Sequence, residues 1–470
     1  MASVSILQQP PLIVPAYNDS FMQVSSPQST EPLFNFIFRV WTGTTLAGTP
    51  TTIIAPASPD GSCYFSPFGI LKDWMGYDLT HDIVGWTQNT YCALNWAVGV
   101  GVQYAVNSTT GVTQYIGLEA VSGFCWNAAM RYEQYSGLYN YENWTIANNT
   151  YGYLTNMPNS VVIQNNEMAS LSVLVNPFSA EPPTQMLVQV YQNSGGTRNY
   201  WVNNRPVVSG SSTLAGSCVQ HFGSGIWNLN QLTSANTLTA LSSNVFPIFN
   251  PNIDYQYSCQ VYWRSGEENT SETTQQFYIL DPNNLVYNSV RLMWLNPYGG
   301  FDYFSFTKVS RLTETLTRNT YKQNLTIPSY QIGDRGTTTT YNDVQEGMTI
   351  NSNWIDDQTS MWLEDCFNSG EVYILNPDGT IYPIIFTTTP QEIGRFMNDQ
   401  ELVQIQIEFV FAYKVNIQTG SYLRSKSAAF GTYNGGAHND NANYQNRGGY
   451  PINTNYAGGG KGDGGGGGTG

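Results

Sequence analysis

The sequence predicts a mainly β protein: two to three β-sandwich units of fibronectin- or Ig-like type, a few short helices and a flexible Gly-rich C-terminal tail. Three observations lead there. Apolar residues alternate with polar ones at period two over several stretches, the mark of strands with one buried face. Turn residues recur at short intervals between these stretches. The long helix that a parallel α/β sheet needs between successive strands is missing.

Residues 1–30, rich in Gln, Pro and Ser, read as an N-terminal arm. A first sandwich is expected over 31–120. It opens on a strand that places Phe34, Phe36, Phe38 and Val40 on one face and Asn35, Ile37 and Arg39 on the other. Within it Ser66–Met75 has a Ser-Pro start and puts Ile70, Leu71 and Trp74 on one helical stripe. A Tyr- and Asn-rich linking segment, 121–154, carries a second candidate helix at Gly123–Gln134. The second sandwich, 155–288, has turn chemistry at Ser194-Gly195-Gly196 and Asn283-Asn284. Its clearest strand sets Tyr255, Tyr257, Cys259, Val261 and Trp263 against Gln256, Ser258 and Gln260.

The third unit, 289–420, contains the best helix, 355–367. There Ile355, Thr359, Trp362, Leu363 and Cys366 recur at helical spacing, and Asp356 and Asp357 occupy the first turn, where the helix dipole favours negative charge. The unit closes on a strand with Val403, Ile405, Ile407, Phe409, Phe411, Tyr413 and Val415 on one face, and Gln404, Gln406, Glu408 and Lys414 on the other. Residues 421–470 then turn to Asn, Gly and Tyr, ending in the run Gly464–Gly468. Such a chain loses more entropy on folding than it regains by burial, so a flexible tail is expected.

Composition narrows the function. Of the 470 residues 41% are hydrophobic, enough for real cores, but only 11% are charged, against roughly 25% in ordinary soluble domains. Aromatics reach 14%, led by 32 Tyr. A surface of amides, hydroxyls and tyrosines repels its neighbours weakly and suits a protein that other subunits cover. The net charge of −15, with no Lys/Arg cluster, argues against nucleic-acid binding, which needs cations to displace counterions from phosphates. Cys63, Cys92, Cys125, Cys218, Cys259 and Cys366 show no C-x-x-C spacing and read as buried free thiols rather than zinc ligands. The N-terminus lacks the pattern of a signal peptide, and no apolar run approaches the ~18 residues of a membrane span.

The search for chemistry returns little. His81, His221 and His438 are scattered, and no metalloprotease, nucleophile-elbow, phosphate-loop or dinucleotide motif is present. Asp356-Asp357 and Glu267-Glu268 are adjacent pairs whose side chains diverge, whereas glycosidase carboxylates face each other across a substrate. Asp440, between Asn439 and Asn441, lacks a calcium-loop pattern. No catalytic residue, cofactor or metal site is expected. The aromatics read mainly as core, with a sugar-binding surface as the competing possibility.

Certain strings resemble a known group. Pro15-Ala16-Tyr17-Asn18 followed by Phe34–Val40 is similar to the start of tail proteins from environmental tailed bacteriophages, including crAss-like relatives, whose opening domain is fibronectin-like. Tyr153–Pro158 leading to Leu171-Ser172-Val173-Leu174 resembles the next unit of that family. Most distinctive is Trp294-Leu295-Asn296-Pro297-Tyr298-Gly299-Gly300, followed by the aromatic strand that carries Phe304 and Phe306. Ser352-Asn353-Trp354-Ile355, the helix with Trp362, and the strands near Val372-Tyr373-Ile374 and Tyr382-Pro383-Ile384 continue the order. The likeness spans about residues 10–418 and leaves out the tail. It implies a multi-copy, non-enzymatic structural protein of the virion, a tail hub, ring or baseplate component assembled in the host cytoplasm. Its partners would be copies of itself and other virion proteins. A receptor-binding module for host-surface glycans, or a capsid or head-appendage protein, are the alternatives. In physical terms Pro297–Gly300 is good turn chemistry, and Trp294, Phe304 and Phe306 are expected to anchor a core.

Overall fold

The fold is that of a computed structural model, which describes residues 4–413 except 19, 44–45, 47, 90, 106–112, 131–140, 146–151, 176–183, 205–218, 234–246, 266–267, 272, 282–287, 323–335 and 388–401. Strand takes up 52% and helix 9% of what is described, so the protein is mainly β, as the alternation predicts. The expected tail, 421–470, lies outside the described residues.

The first sandwich opposes two sheets. One runs in the order Ile13–Pro15, Thr113–Trp126, Ala93–Ala105, Asn35–Thr42, Thr51–Pro56; the other in the order Ser5–Gln8, Met22–Ser25, Ser62–Phe65. Phe34, Phe36, Phe38 and Val40 all enter the core, and Phe38 stacks on Phe65 of the opposite sheet with ring centres 4.2 Å apart. Burying each such phenyl ring stabilises by roughly 1.5–3 kcal/mol. Two expectations are corrected here. Residues 1–30 are no arm: they supply three strands whose Ile13, Val14, Met22 and Val24 are fully buried. Gly123 does not begin a helix, because 123–126 finish a strand that pairs antiparallel with Ala93–Ala105 and parallel with Ile13–Pro15. The short helix Phe68–Leu71, continued by a 3-10 turn at Lys72–Trp74, buries Phe68 and Leu71 but leaves Trp74 exposed.

The second sandwich has a sheet in the order Ser160–Ile163, Gln276–Leu280, Asp254–Ser265, Gln185–Gln192, Thr197–Asn203, with Glu268–Ser271 added beside Asp254–Ser265. Tyr257, Cys259 and Val261 face inward as expected, while Tyr255 is exposed. The predicted turn at 194–196 joins two of these strands, with Gly195 at φ +86°, a conformation that favours glycine. The opposing sheet runs Ser170–Leu174, Val219–Gly223, Trp86–Gln88. Its last strand comes from the region assigned by sequence to the first unit. A short helix, Ile226–Asn230, follows this sheet.

The third sheet runs Phe301–Phe306, Val290–Leu295, Val372–Leu375, Ile381–Phe386, Gln406–Phe411, Thr337–Asn351, Arg311–Lys322. Its helix spans Asp357–Asn368, and the Asp356 carboxylate caps it by accepting from the Thr359 N–H at 2.8 Å. Ile355 lies just before it, in a two-residue strand paired with Leu402–Val403. The closing strand is shorter than its alternation predicts. It breaks at 404–405, where Ser352 holds Ile405 through its N–H and hydroxyl, both at 2.8 Å. Beyond the break Ile407, Phe409 and Phe411 are buried and Gln406 and Glu408 exposed, as alternation requires. Met1–Ile417 cluster as one compact unit.

Candidate functional site

The Trp294–Gly300 motif and the aromatic strand after it lie where the three sheet systems meet. Val290–Leu295 and Phe301–Phe306 form a hairpin, and Asn296 organises its turn. The Asn296 carbonyl oxygen of the side chain accepts from the N–H groups of Tyr298 (3.0 Å) and Gly300 (3.1 Å), and its amide donates to the Leu154 carbonyl at 2.8 Å. Tyr298 thereby enters the first sandwich's core, its ring 4.5 Å from that of Trp144. The Trp126 indole N–H donates to the Tyr298 carbonyl at 2.9 Å. Gly299 sits at φ +89°, and a Cβ there would lie 2.3 Å from the Asn127 carbonyl oxygen; one on Gly300 would lie 2.8 Å from the Ser172 hydroxyl. Only glycine lets the turn approach both neighbours this closely.

The hairpin's two faces bury different partners. Trp294 and Phe306 are buried and Phe304 is half-buried. Trp294 and Phe304 pack against Trp362 of the helix, with ring centres at 5.2 and 6.0 Å. The sequence-predicted residues Trp294, Asn296, Gly299, Gly300, Phe304, Phe306 and Trp362 thus fall into one helix-backed hairpin. On the other face Arg291, buried, binds the loop before Ser170–Leu174. Its guanidinium donates to Glu167 (2.8 Å), to Ser305 (2.7 Å) and to the Met168 carbonyl (2.9 Å).

Asp302, fully enclosed, has a displaced ionisation. It accepts from the Trp362 indole N–H (2.7 Å) and the Thr155 hydroxyl (2.9 Å). Burial pushes its carboxyl up to about 7, opposed by the hydrogen bonds from Trp362, Thr155 and Asn296 and reinforced by the charge of Asp365. The adjoining cavity, lined by Ile163, Tyr278, Arg291 and Tyr303 among others, has about 10 Å³, room for one water at most. A raised acid favours the folded state most below its unfolded value of 3.8, and that advantage is lost as pH rises through about 7. Asp302→Asn, which cannot ionise, is therefore expected to gain stability over the wild type between about pH 5 and pH 8, by on the order of 2–4 kcal/mol. Urea unfolding of both proteins across that range checks this; a pH-independent difference would overturn it.

A second buried group joins Ser172, His221 and Asn89, residues 49 and 132 positions apart. Serine, histidine and an amide in line suggest a nucleophile and base, but the hydrogen bonds run the wrong way. The Asn89 carbonyl accepts from the N–H groups of Tyr91 and Cys92, which turns its amide to donate to His221 Nε2 at 3.2 Å. The histidine proton is then on Nδ1, donated to Ser172 Oγ at 2.8 Å, so the ring has no lone pair for the serine proton. Desolvation brings the His221 pKa down to about 4, keeping the ring neutral. This trio ties Ser170–Leu174 and Val219–Gly223 to the segment after Trp86–Gln88. No single segment of sequence signals it. His81 is also buried, with Nε2 3.0 Å from the Gly379 carbonyl, and His438 lies outside the described residues.

Cys63, Cys92, Cys125, Cys259 and Cys366 are buried free thiols. Among the described residues no cluster of His, Cys, Asp and Glu is placed to hold a metal, and no helix is long and apolar enough to cross a membrane.

Two surface features remain. A cleft of about 480 Å³ opens between the first sandwich and the third sheet, lined by Tyr17, Tyr77, Leu295, Pro297, Asp365 and Glu371 among others. At the far edge of the third sheet, Arg311–Lys322 pairs with Thr337–Asn351 over its whole length, yet only Gly347–Asn351 is backed by the next strand. From Glu314 onward the hairpin is a two-stranded ribbon among the described residues, and every residue of Arg311–Lys322 is exposed. No family model matches the sequence, and no curated protein matches it.

Proposed function

We propose that the chain is a non-enzymatic structural subunit of a virus particle, in the tail of a tailed phage, and that it works by assembling with copies of itself and other virion proteins. The observation that carries this reading is the ribbon. Twelve consecutive exposed residues form a strand that is an edge among the described residues, with no Pro or Gly to blunt it. A two-stranded ribbon is marginal by itself in water, and long open edges are what natural proteins otherwise avoid, so such an edge suits a chain that acquires neighbours. The interlocked body supports the same reading: buried polar and aromatic contacts spent on joining sheets make a rigid block suited to bearing load. The resemblance of residues 10–418 to phage tail proteins supplies the particle, and assembly in the host cytoplasm follows from it.

Quantitative mass spectrometry of density-purified particles tests this. Recovery of the chain in fixed proportion to the major capsid protein is expected; its absence from the particles would end the reading. A second reading, a receptor-binding module for host-surface glycans, rests on the 480 Å³ cleft. There a 53%-exposed Tyr17 adjoins carboxylates and amides, the mixture that sugars stack on and hydrogen-bond to. Calorimetry with host polysaccharide decides it, and no heat at millimolar ligand would remove it.

A further inference from the structure

The edge strand of the ribbon is written so that it can pair with itself. We propose that two copies of this chain join edge to edge along Arg311–Lys322, antiparallel, across a two-fold axis at Leu316. The proposal rests on the assembling-subunit reading and names the surface and the partner.

The argument begins with charge. The outer strand of the ribbon carries three basic residues, Arg311, Arg318 and Lys322, in a protein of net charge −15. One acid stands on the outer strand, Glu314, and its placement is unfavourable in the lone chain. The pairing sets Glu314 directly opposite Glu346, and like charges across a ladder destabilise it. Arg318, four residues on and on the same face, stands opposite Asn342 rather than an acid.

A second copy resolves both. Antiparallel pairing of one strand with its own copy can take several registers, and of those that engage most of the strand only one sets Glu314 against a cation without opposing like charges. Centring on Arg318 would oppose two arginines at the axis. Centring on Leu316 uses nearly the whole strand and creates no like-charge pair. It sets Glu314 against Arg318 of the other copy, and Arg318 against its Glu314, so the two-fold axis makes the contact twice. The same register opposes Leu316 to its own copy and Leu312 to Thr320, covering two exposed leucines (38% and 64% exposed, respectively). Arg311 meets the Tyr321 ring, a favourable cation–π pairing. The bulge at Asn319/Thr320 does not distort this edge, because the extra residue, Thr340, belongs to the inner strand. Backbone hydrogen bonds then run unbroken from one copy's sheet into the other's, which is strand addition between equals.

The test is a charge-reversal cycle on the full chain, followed by sedimentation velocity and light scattering, with circular dichroism confirming that each variant folds. Glu314→Arg alone and Arg318→Glu alone each place two like-charge pairs at the axis. Each is expected to weaken dimerisation by about tenfold or more, and the double variant to recover to within about threefold of wild type. Leu316→Cys is expected to give a covalent dimer on mild oxidation, because the axis brings the two Cβ atoms within disulfide reach, whereas Thr313→Cys is not. Single reversals without effect, no rescue in the double variant, or a wild type that stays monomeric to about 100 µM would overturn the proposal. So would an asymmetric result, with Glu314→Arg strengthening association and Arg318→Glu weakening it, which would mean that the outer strand's cations dock on another copy's acidic body. Recovery of the chain from particles with indifferent charge variants would defeat this edge pairing and leave the virion reading standing. A working charge cycle with no recovery from particles would defeat only the virion reading.

Discussion

Arg291→Ala is expected to cost the protein about 3–5 kcal/mol and to bring its urea midpoint down accordingly, the largest single-residue effect on this fold together with the one that follows. The reason is the group left behind. Arg291 and Glu167 are 9% and 10% exposed, and the carboxylate also accepts from Ser305 at 2.5 Å, so removing the guanidinium strands a negative charge inside the seam between the second sandwich and the third sheet. The guanidinium also lies 5.5 Å from the centre of the Tyr303 ring, a stacking that alanine forfeits. Arg291→Met with Glu167→Gln removes both charges and keeps the volume, and should recover most of the loss. A double variant no more stable than Arg291→Ala would show that the charge was not the cause.

Trp294→Ala should lose about 3–5 kcal/mol by a different route. Trp294 is fully buried, and its indole N–H makes no hydrogen bond among the described residues, so what it contributes is packing against Trp362. Truncation opens a cavity between hairpin and helix. Trp294→Phe, which retains most of the ring, should cost about 1–2 kcal/mol. Trp362→Phe should cost more than that, because the Trp362 indole N–H donates to buried Asp302. Urea unfolding monitored by circular dichroism orders the three; equal losses for Trp294→Phe and Trp362→Phe would contradict the assignment of roles.

How far these elements could be read in the sequence depended on whether one face of a strand met water. Phe34–Val40 and Ile407–Phe411 were legible because their core-facing residues recur at every second position, although Ile37, expected on the outer face of the first, is itself buried. Ile13 and Val14 were not: both are buried, so no alternation marks them, and a strand of three residues is too short to show a period. The Gly123–Trp126 stretch misled for the same reason, since Phe124, Cys125 and Trp126 are all buried and consecutive apolar residues fit a helix equally well. The turn at Pro297–Gly300 was legible from its local chemistry. Its destination was not, because nothing near Tyr298 in the sequence says that its ring completes a core made of residues 4–174 and 219. The Ser172–His221–Asn89 trio was hidden likewise, each member being unremarkable alone. The ribbon escaped notice because every residue of its outer strand is exposed and its threonines blur any pattern.

The insertion of Tyr298 into the first core has a consequence for how the chain is made. A ribosome adds about 5–20 residues per second, so on the order of 15–60 s separate the emergence of Met1 from that of Tyr298. Once Trp126 has been added the nascent N-terminal sandwich has its own strands but lacks, until Tyr298 emerges, the side chain that closes it, and the Trp86–Gln88 strand waits for its neighbour Val219–Gly223. Maturation therefore begins in earnest only after some three-fifths of the polypeptide has been delivered. A nascent chain released before that point would present open hydrophobic seams to the cell's chaperones, rather than a finished domain.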